Sequence, residues 1–495
     1  MRITVVCFVF LCLLKCNCGK YENRKIGSAS YQFVHRIYGK DRPIFSFGDE
    51  PDETKWLCII FGMCHVSFFP QINAEGELTS VYQWTNLEYD YPSESARRQA
   101  INNKEFILEN GAPLDVDVHY TKSKNKIFVT VPRFQQGIPA TLGIITSRSY
   151  KGNPVLAPYP SWSWHQNSKQ CPRDRLVSVF RVKIDECQRL WVLDVGRIGD
   201  DRLCPAQILA FDLKTDQLVH RYEIPDNQLQ SNSILVTIIP DVRDPEGIDT
   251  FVYVADCQGM ALIVHDTQRG TSWRIVDKTM YPNPFFGSYN IAGQTFDIMD
   301  GIMGMDLSPY KAGDDRILYY HAMSSGSEQW VRTSYLRNQT MFLNDPSPAP
   351  QIFNVYSGQR HSQVPGMAID KNGIAYFGLV TDMSMNCWNT ALEYGTNNID
   401  VIAQDKITLQ FPSNVKIITN LLDKQELWFV TMRFQKVITS TLNLSETNFR
   451  IIAGKIDDLL KGSKCLNRYP SSQHVHVHGG GYGYGKQHKR DHRLN

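Results

Sequence analysis

The sequence predicts an all-β chain folded as a six-bladed β-propeller around a central channel. Three observations predict it. An aromatic-centred strand recurs six times, each recurrence sits in a hairpin signature, and long helical periodicity is nearly absent. The six strands are Lys126-Ile-Phe-Val-Thr-Val131, Arg189-Leu-Trp-Val-Leu-Asp194, Thr250-Phe-Val-Tyr-Val-Ala-Asp256, Arg316-Ile-Leu-Tyr-Tyr-His321, Gly373-Ile-Ala-Tyr-Phe-Gly378 and Glu426-Leu-Trp-Phe-Val-Thr431. Their anchors, Phe128, Trp191, Tyr253, Tyr319, Tyr376 and Trp428, stand about 50 to 65 residues apart, somewhat above a kelch-type blade period of about 50.

Each anchor strand follows a second apolar run across a polar turn, as in 177–184 before Asp185-Glu-Cys-Gln-Arg189 or Gly366–Asp370 before Lys371-Asn-Gly373. Several units continue into a further pair, such as 208–212 with 218–224 and 261–265 with 272–275. The unit is therefore a four-stranded antiparallel blade. Leu78–Trp84 precedes the first unit and is placed to add a strand to the last blade, closing the ring and hiding two sheet edges. Helical patterns are confined to Ser93–Leu108 and Lys455–Leu460.

At the N-terminus, Met1-Arg2 precedes an apolar run from Ile3 to Leu14 that Lys15 closes. The run is well short of the roughly 20 residues of a membrane-spanning helix, so residues 1–19 read as a secretory signal and the protein as extracellular, with no membrane span. A second signal-like stretch, Trp56–Phe69, ends in the polar segment Pro70–Gly76. Either 20–77 is an extension ahead of the usual signal, or this stretch packs on the domain as a buried strand. The propeller is assigned to 78–465. Residues 466–495 change composition to a His/Gly/Tyr-rich, basic tail that is disordered by composition.

Twelve cysteines, less Cys7, Cys12, Cys16 and Cys18 in the leader, leave an even number for disulfides in an oxidising compartment. Cys187 and Cys204 flank one β segment and are the candidate pair. The sequons at Asn338 and Asn443 fit a glycoprotein. A formal net charge of +2, with basic residues bunched only at the extreme C-terminus, gives no footprint for nucleic acid. No C-x-x-C, G-x-S-x-G, H-E-x-x-H or P-loop pattern occurs, so zinc-ribbon, thioredoxin-type, hydrolase and nucleotide chemistries lose their usual support, and no cofactor is expected. The alternating His474, His476 and His478 offer at most a weak metal site.

In a propeller, strand ends converge at the channel mouth, where small ligands lodge. The candidates are the residues that follow each anchor: Arg133 and Phe134, Asp194, Asp256, His321, Thr381 and Asp382, Arg433 and Phe434. Val131-Pro-Arg-Phe134 and Thr431-Met-Arg-Phe434 repeat an Arg-Phe pair at equivalent positions, and an aromatic face beside a fixed charge suits a flat catechol or indole. His321, Asp194, Asp256 and Asp382 are candidate acids and bases, although strand-end aspartates also cap turns.

Six ordered motifs give a resemblance. Ala157-Pro-Tyr-Pro-Ser-Trp-Ser-Trp-His165, the block from Val177-Ser-Val-Phe-Arg181 to Gly196, Cys204–Leu213, Asp300–Ser308, Asn386-Cys-Trp-Asn389 and Asn448-Phe-Arg-Ile451 resemble the insect yellow / major royal jelly family over roughly Leu78–Cys465. The resemblance implies a secreted six-bladed propeller. It also implies one of several roles: cuticle pigmentation with a bound catecholamine-derived or indole molecule, dopachrome isomerisation (tautomerisation), or a non-enzymatic storage or signalling glycoprotein. In amine-binding salivary relatives the segment matching Trp428–Lys436 supplies an aromatic ring, matched by Phe434, and an amide where this chain has Met432. A thioether offers an amine no strong hydrogen bond, which argues against high-affinity amine capture. The Gly-Tyr repeats of the tail resemble cuticular low-complexity segments and give a cuticular matrix as a further expected partner.

Overall fold

A computed structural model describes residues 78–166 and 170–466. Cys58, Cys64, the leader, the Trp56–Phe69 stretch and the three tail histidines lie outside them. The described chain forms six antiparallel sheets whose innermost strands, Asp115–His119, Val179–Ile184, Leu235–Val242, Ile302–Leu307, Met367–Ile369 and Pro412–Thr419, neighbour one another in a closed circle. This is the six-bladed propeller that the recurrence predicts.

Each aromatic anchor falls in the second strand of its blade, and all six are buried between sheets. Their polar heads explain why the preceding turn is acidic. Trp191 Nε1 donates to Asp185 at 2.8 Å, and the Tyr376 hydroxyl donates to Asp370 at 3.1 Å. The same two carboxylates accept the backbone N–H of Arg189 and Ile374, so one residue closes the hairpin turn and satisfies the anchor. Gly373 takes a positive φ of 78° in the second of these turns, a conformation that costs glycine no Cβ clash.

The N-terminal strand Thr79–Trp84 pairs antiparallel with Phe449–Ala453 of blade 6, so the last sheet is built from both ends of the propeller. Trp84 fixes that join: its ring is buried, and Nε1 donates to the Pro154 carbonyl of blade 1 at 2.8 Å. Glu88–Tyr89 then pairs in parallel with the outer strand Asn153–Pro158, giving blade 1 a fifth strand. The expected helices are Glu94–Asn102, capped by Ser93, and the single turn Ile456–Leu459.

The cysteine expectation is corrected. Cys204 is bonded to Cys171, Cys387 to Cys465, and Cys187 is free. Strands Arg189–Asp194 and Gln207–Asp212 run antiparallel, with Arg189 opposite Asp212 and Asp194 opposite Gln207. Cys187 thus enters at one end of the blade and Cys204 at the other. About six residues at roughly 3.3 Å each separate them, far beyond the ~7 Å Cα limit of a disulfide.

Among the described residues, one side chain blocks the axis of the ring. Arg181, on the inner strand of blade 2 and 1% exposed, lies across the axis. Its Nη1 donates to Thr237 Oγ1 (2.6 Å) and the Met303 carbonyl (3.3 Å), and its Nη2 to the carbonyls of Pro365 (2.9 Å) and Ser413 (2.7 Å). One guanidinium therefore ties blade 2 to blades 3, 4, 5 and 6. Below it Asp115 accepts from Lys416 Nζ at 2.7 Å and Asn414 Nδ2 at 2.9 Å. The plug divides the axis into two separate mouths.

Candidate functional site

Every inner strand begins at one mouth and ends at the other. The mouth where the inner strands begin is also where the anchor strands end, so the loops after the anchors surround it. There a cavity of ≈ 100 Å³ is lined by Phe134, Phe180, Phe411 and Phe434, by aliphatic side chains, and by three groups capable of chemistry: Arg181, Cys257 and Asp300. The opposite mouth is wider, ≈ 710 Å³, and its mixed lining includes the charged side chains Asp117, Lys183, Asp306 and Lys371.

The repeated Arg-Phe pair divides its labour. Phe134 of blade 1 and Phe434 of blade 6 meet at the small cavity, Phe134 remaining 42% exposed. Phe134 packs edge-on against Phe180 at 5.3 Å, and Phe434 stacks on Phe411 at 4.3 Å. Phe411 holds a positive φ of 43°, a backbone state that costs a bulky residue about 1–3 kcal/mol and persists only where packing enforces it. A hairpin inserted between blades 3 and 4, Ser288–Ile291 with Gln294–Asp297, brings Phe296 edge-on to Phe434 at 5.6 Å and stacks it on Tyr289 at 5.1 Å. Gln363 tethers that hairpin through the carbonyls of Phe286 and Ser288.

The two arginines face elsewhere. Arg133, 3% exposed, donates to the carbonyls of Ile138, Pro139, His165 and Val177 at 2.8–2.9 Å, knitting the loop after its anchor. Burial brings its pKa down to about 10, which leaves it charged at neutral pH. Arg433 pairs with Glu446. Met432 is buried in the core, and its backbone N–H donates to the Gln410 carbonyl at 3.1 Å.

The other predicted residues sit at the strand ends and loops of separate blades rather than gathered on the cavity. Asp194 accepts the backbone N–H groups of Val177, Ser178 and Gly196 as well as Gln207 Nε2. Asp256 accepts from Ser233, the N–H groups of Ile234 and Gly259, and Arg274. Both therefore fasten the entry segment of their own blade's inner strand. His321 is buried with Nδ1 2.9 Å from Glu328, desolvation holding its pKa below the usual histidine value. A Cβ on Gly304 would fall 2.0 Å from its Nε2, so the ring is walled in by backbone. Asp382 lies 2.6 Å from His361, and the Thr381 hydroxyl donates to Gln363 at 3.2 Å. Among the described residues, no group of three or more His, Cys, Asp or Glu could hold a metal ion, and no helix is long and apolar enough to cross a membrane.

Asp300 escaped the sequence reading. It opens the Asp300–Ser308 motif, one position outside the glycine that leads into the inner strand of blade 4, whereas the aromatic period marks only the ends of the anchor strands. It is half-buried in the apolar wall, and burial pushes its pKa up to about 6 against a partial offset from the Gln258 amide, which donates to Oδ1. Cys257, at the end of the blade 3 anchor strand, is a buried free thiol whose pKa burial raises well above the ordinary thiol value. Arg181 forms the cavity's charged floor; burial lowers its pKa to about 10, so it too stays protonated. The cavity thus sets phenyl rings around one cation, one easily protonated carboxylate and one unionised thiol.

Comparison with known proteins supplies the context. The major royal jelly protein family model matches residues 177–465. The chain is 35% identical over 395 residues to major royal jelly protein 9 of Apis mellifera, covering 78% of this chain and 89% of that protein. It is 30% identical over 410 residues to a dopaminechrome tautomerase of Drosophila melanogaster, covering 81% and 86%. Protein yellow of Drosophila melanogaster matches at 31% identity, covering 79% and 71%.

Proposed function

The chain belongs to the yellow / major royal jelly protein family, and from that membership we propose that it is a secreted pigmentation protein binding one small catechol- or indole-type molecule at the Phe134–Phe434 mouth. The carrying observation is the convergence of Phe134 and Phe434, which follow the anchor strands of blades 1 and 6, with Phe180 and Phe411 on a single cavity. At ≈ 100 Å³ the space is well below the ~300–1,000 Å³ of pockets for drug-sized ligands, so it suits one flat ring system rather than a peptide or oligosaccharide.

Calorimetric titration of the purified protein with dopamine, serotonin and 5-hydroxyindole tests this. Saturable binding is expected, weakened about tenfold by Phe434→Ala, the ~1.4 kcal/mol that loss of one ring stack removes. Silence with all three compounds rejects the reading.

The second reading, an isomerase of aminochromes such as dopachrome, is favoured by Asp300 and by the relative that is a dopaminechrome tautomerase. The isomerisation moves protons from carbon to oxygen, and a carboxyl with a pKa near 6 exchanges them readily at neutral pH.

Secretion through residues 1–19, a propeller over 78–465 and a tail at 466–495 complete the proposed organisation. Glycans are assigned to Asn338 and Asn443. Both are exposed, and their Oδ1 atoms accept from the Thr340 hydroxyl at 2.6 Å and the Ser445 hydroxyl at 2.8 Å. The tail is assigned to anchoring in a cuticular matrix, where quinones attack His and Tyr. Unchanged extraction from cuticle after deletion of 471–495 would refute that role.

A further inference from the structure

The carboxylates around the mouth differ in what they have left to give. Asp194 and Asp256 are saturated, each by at least four donors. Asp300 takes one donor, Gln258, on Oδ1, while Oδ2 carries no hydrogen bond and no cation pairs with the group among the described residues. Among the described residues it is the one carboxylate in the cavity lining, and Arg181 is the one cation. Among the described residues Arg181 in turn hydrogen-bonds carbonyls and a hydroxyl but no carboxylate, Asp115 acting on it without a hydrogen bond, and its position is fixed by four blades. A buried, immobile positive charge and an open carboxylate lining one aromatic slot are the groups that an enolisation requires.

Resting on the tautomerase reading, we propose that Asp300 is the proton-transfer group of this mouth for cyclised aminochromes, indoline rings carrying an ortho-quinone, with Arg181 stabilising the oxygen on which negative charge develops. Asp300 Oδ2 removes a proton from the saturated ring carbon adjoining the six-membered ring. The C–H electron pair moves through the conjugated ring onto a quinone oxygen, and that oxygen takes up a proton. Loss of the second proton, from the carbon beside nitrogen, aromatises the five-membered ring as the other oxygen is protonated. Two C–H bonds break and two O–H bonds form, and no electron leaves the substrate, so the step needs no oxidant, reductant or cofactor. Cys257 fits the same chemistry. A thiolate would add to the quinone and trap it as a thioether, whereas a buried thiol held in its protonated form leaves the quinone free to isomerise.

The test uses the full secreted protein and two readouts: loss of the visible absorbance of dopaminechrome, and calorimetric binding of 5-hydroxyindole, which cannot tautomerise in this way. The proposal expects kcat to fall as pH drops through about 6, where Asp300 becomes protonated and no longer accepts. Asp300→Asn is expected to lower kcat about 100-fold or more while 5-hydroxyindole still binds saturably, and Asp300→Glu to restore part of the rate. Gln258→Leu, which removes the donor that favours the anion, is expected to move the midpoint of the kcat–pH profile upward. It provides a second check should Asp300→Asn fold poorly. Turnover of Asp300→Asn within about threefold of the parent overturns the assignment, as does a Gln258→Leu profile that does not move. A parent protein that binds 5-hydroxyindole but never converts an aminochrome overturns the proposal and leaves the binding reading standing. Failure to bind any of these molecules removes both.

Discussion

A carboxylate's donors decide whether it fastens a loop or moves a proton. Asp194 collects three backbone N–H groups from two segments, so Asp194→Ala leaves buried donors unpaired and is expected to cost about 3 kcal/mol or more in urea-induced unfolding. Asp300→Asn should act in the opposite sense. The folded Asp300 holds its proton up to about pH 6 whereas the unfolded chain releases it at an ordinary aspartate pH. Stability therefore falls as pH rises across that window. The Asn variant lacks this penalty, so its melting temperature should exceed the parent's at pH 7, and the gap should close below about pH 4. Sequence placed strand-end carboxylates near the mouth because the anchor period fixes where strands stop. It could not say which of them meet donors, since those come from segments distant in the chain, as Arg274 does for Asp256. Phe134 and Phe434 were legible for the converse reason: the same dipeptide recurs at the same blade position.

Among the elements, the anchor strands and the closing strand Thr79–Trp84 were legible because strand alternation and the aromatic period are local signals. Closure by Trp84 carries a measurable consequence: Trp84→Ala, emptying a buried site at the junction of blades 6 and 1, is expected to cost about 3–5 kcal/mol and to expose the edge of Phe449–Lys455 to amide exchange before the other sheets. Disulfide pairing was not legible, because it depends on which end of an antiparallel strand a cysteine occupies. Peptide mapping should recover Cys171 linked to Cys204 and Cys387 linked to Cys465. Alkylation of the native protein should label the partly exposed Cys187 readily and Cys257 only after unfolding. Cys465→Ser opens a loop of sequence separation 78 and is expected to destabilise by roughly 2–4 kcal/mol, whereas Cys187→Ser should be nearly neutral.

For the whole molecule, Arg181 is the organising residue. A propeller leaves an axial gap, and here it is closed by one guanidinium shared among five blades rather than by apolar side chains. That closure turns a passage into two independent cups, a small aromatic one and a large one of mixed lining, and limits any ligand at the Phe434 end to what fits above the plug. The sequence carried the ring, the blade count and the two phenylalanines. It did not carry the plug, since nothing in Val177-Ser-Val-Phe-Arg181 distinguishes an axial arginine from a surface one until five other inner strands are placed around it. The account turns on the aromatic cup being the binding site, and a crystal structure of the protein soaked to saturation with 5-hydroxyindole tests this most directly. The prediction is a ring in contact with Phe411 and Phe434, above Arg181 and beside Asp300. A ring seated only in the opposite, wider mouth, or an empty aromatic cup at saturating concentration, would contradict it.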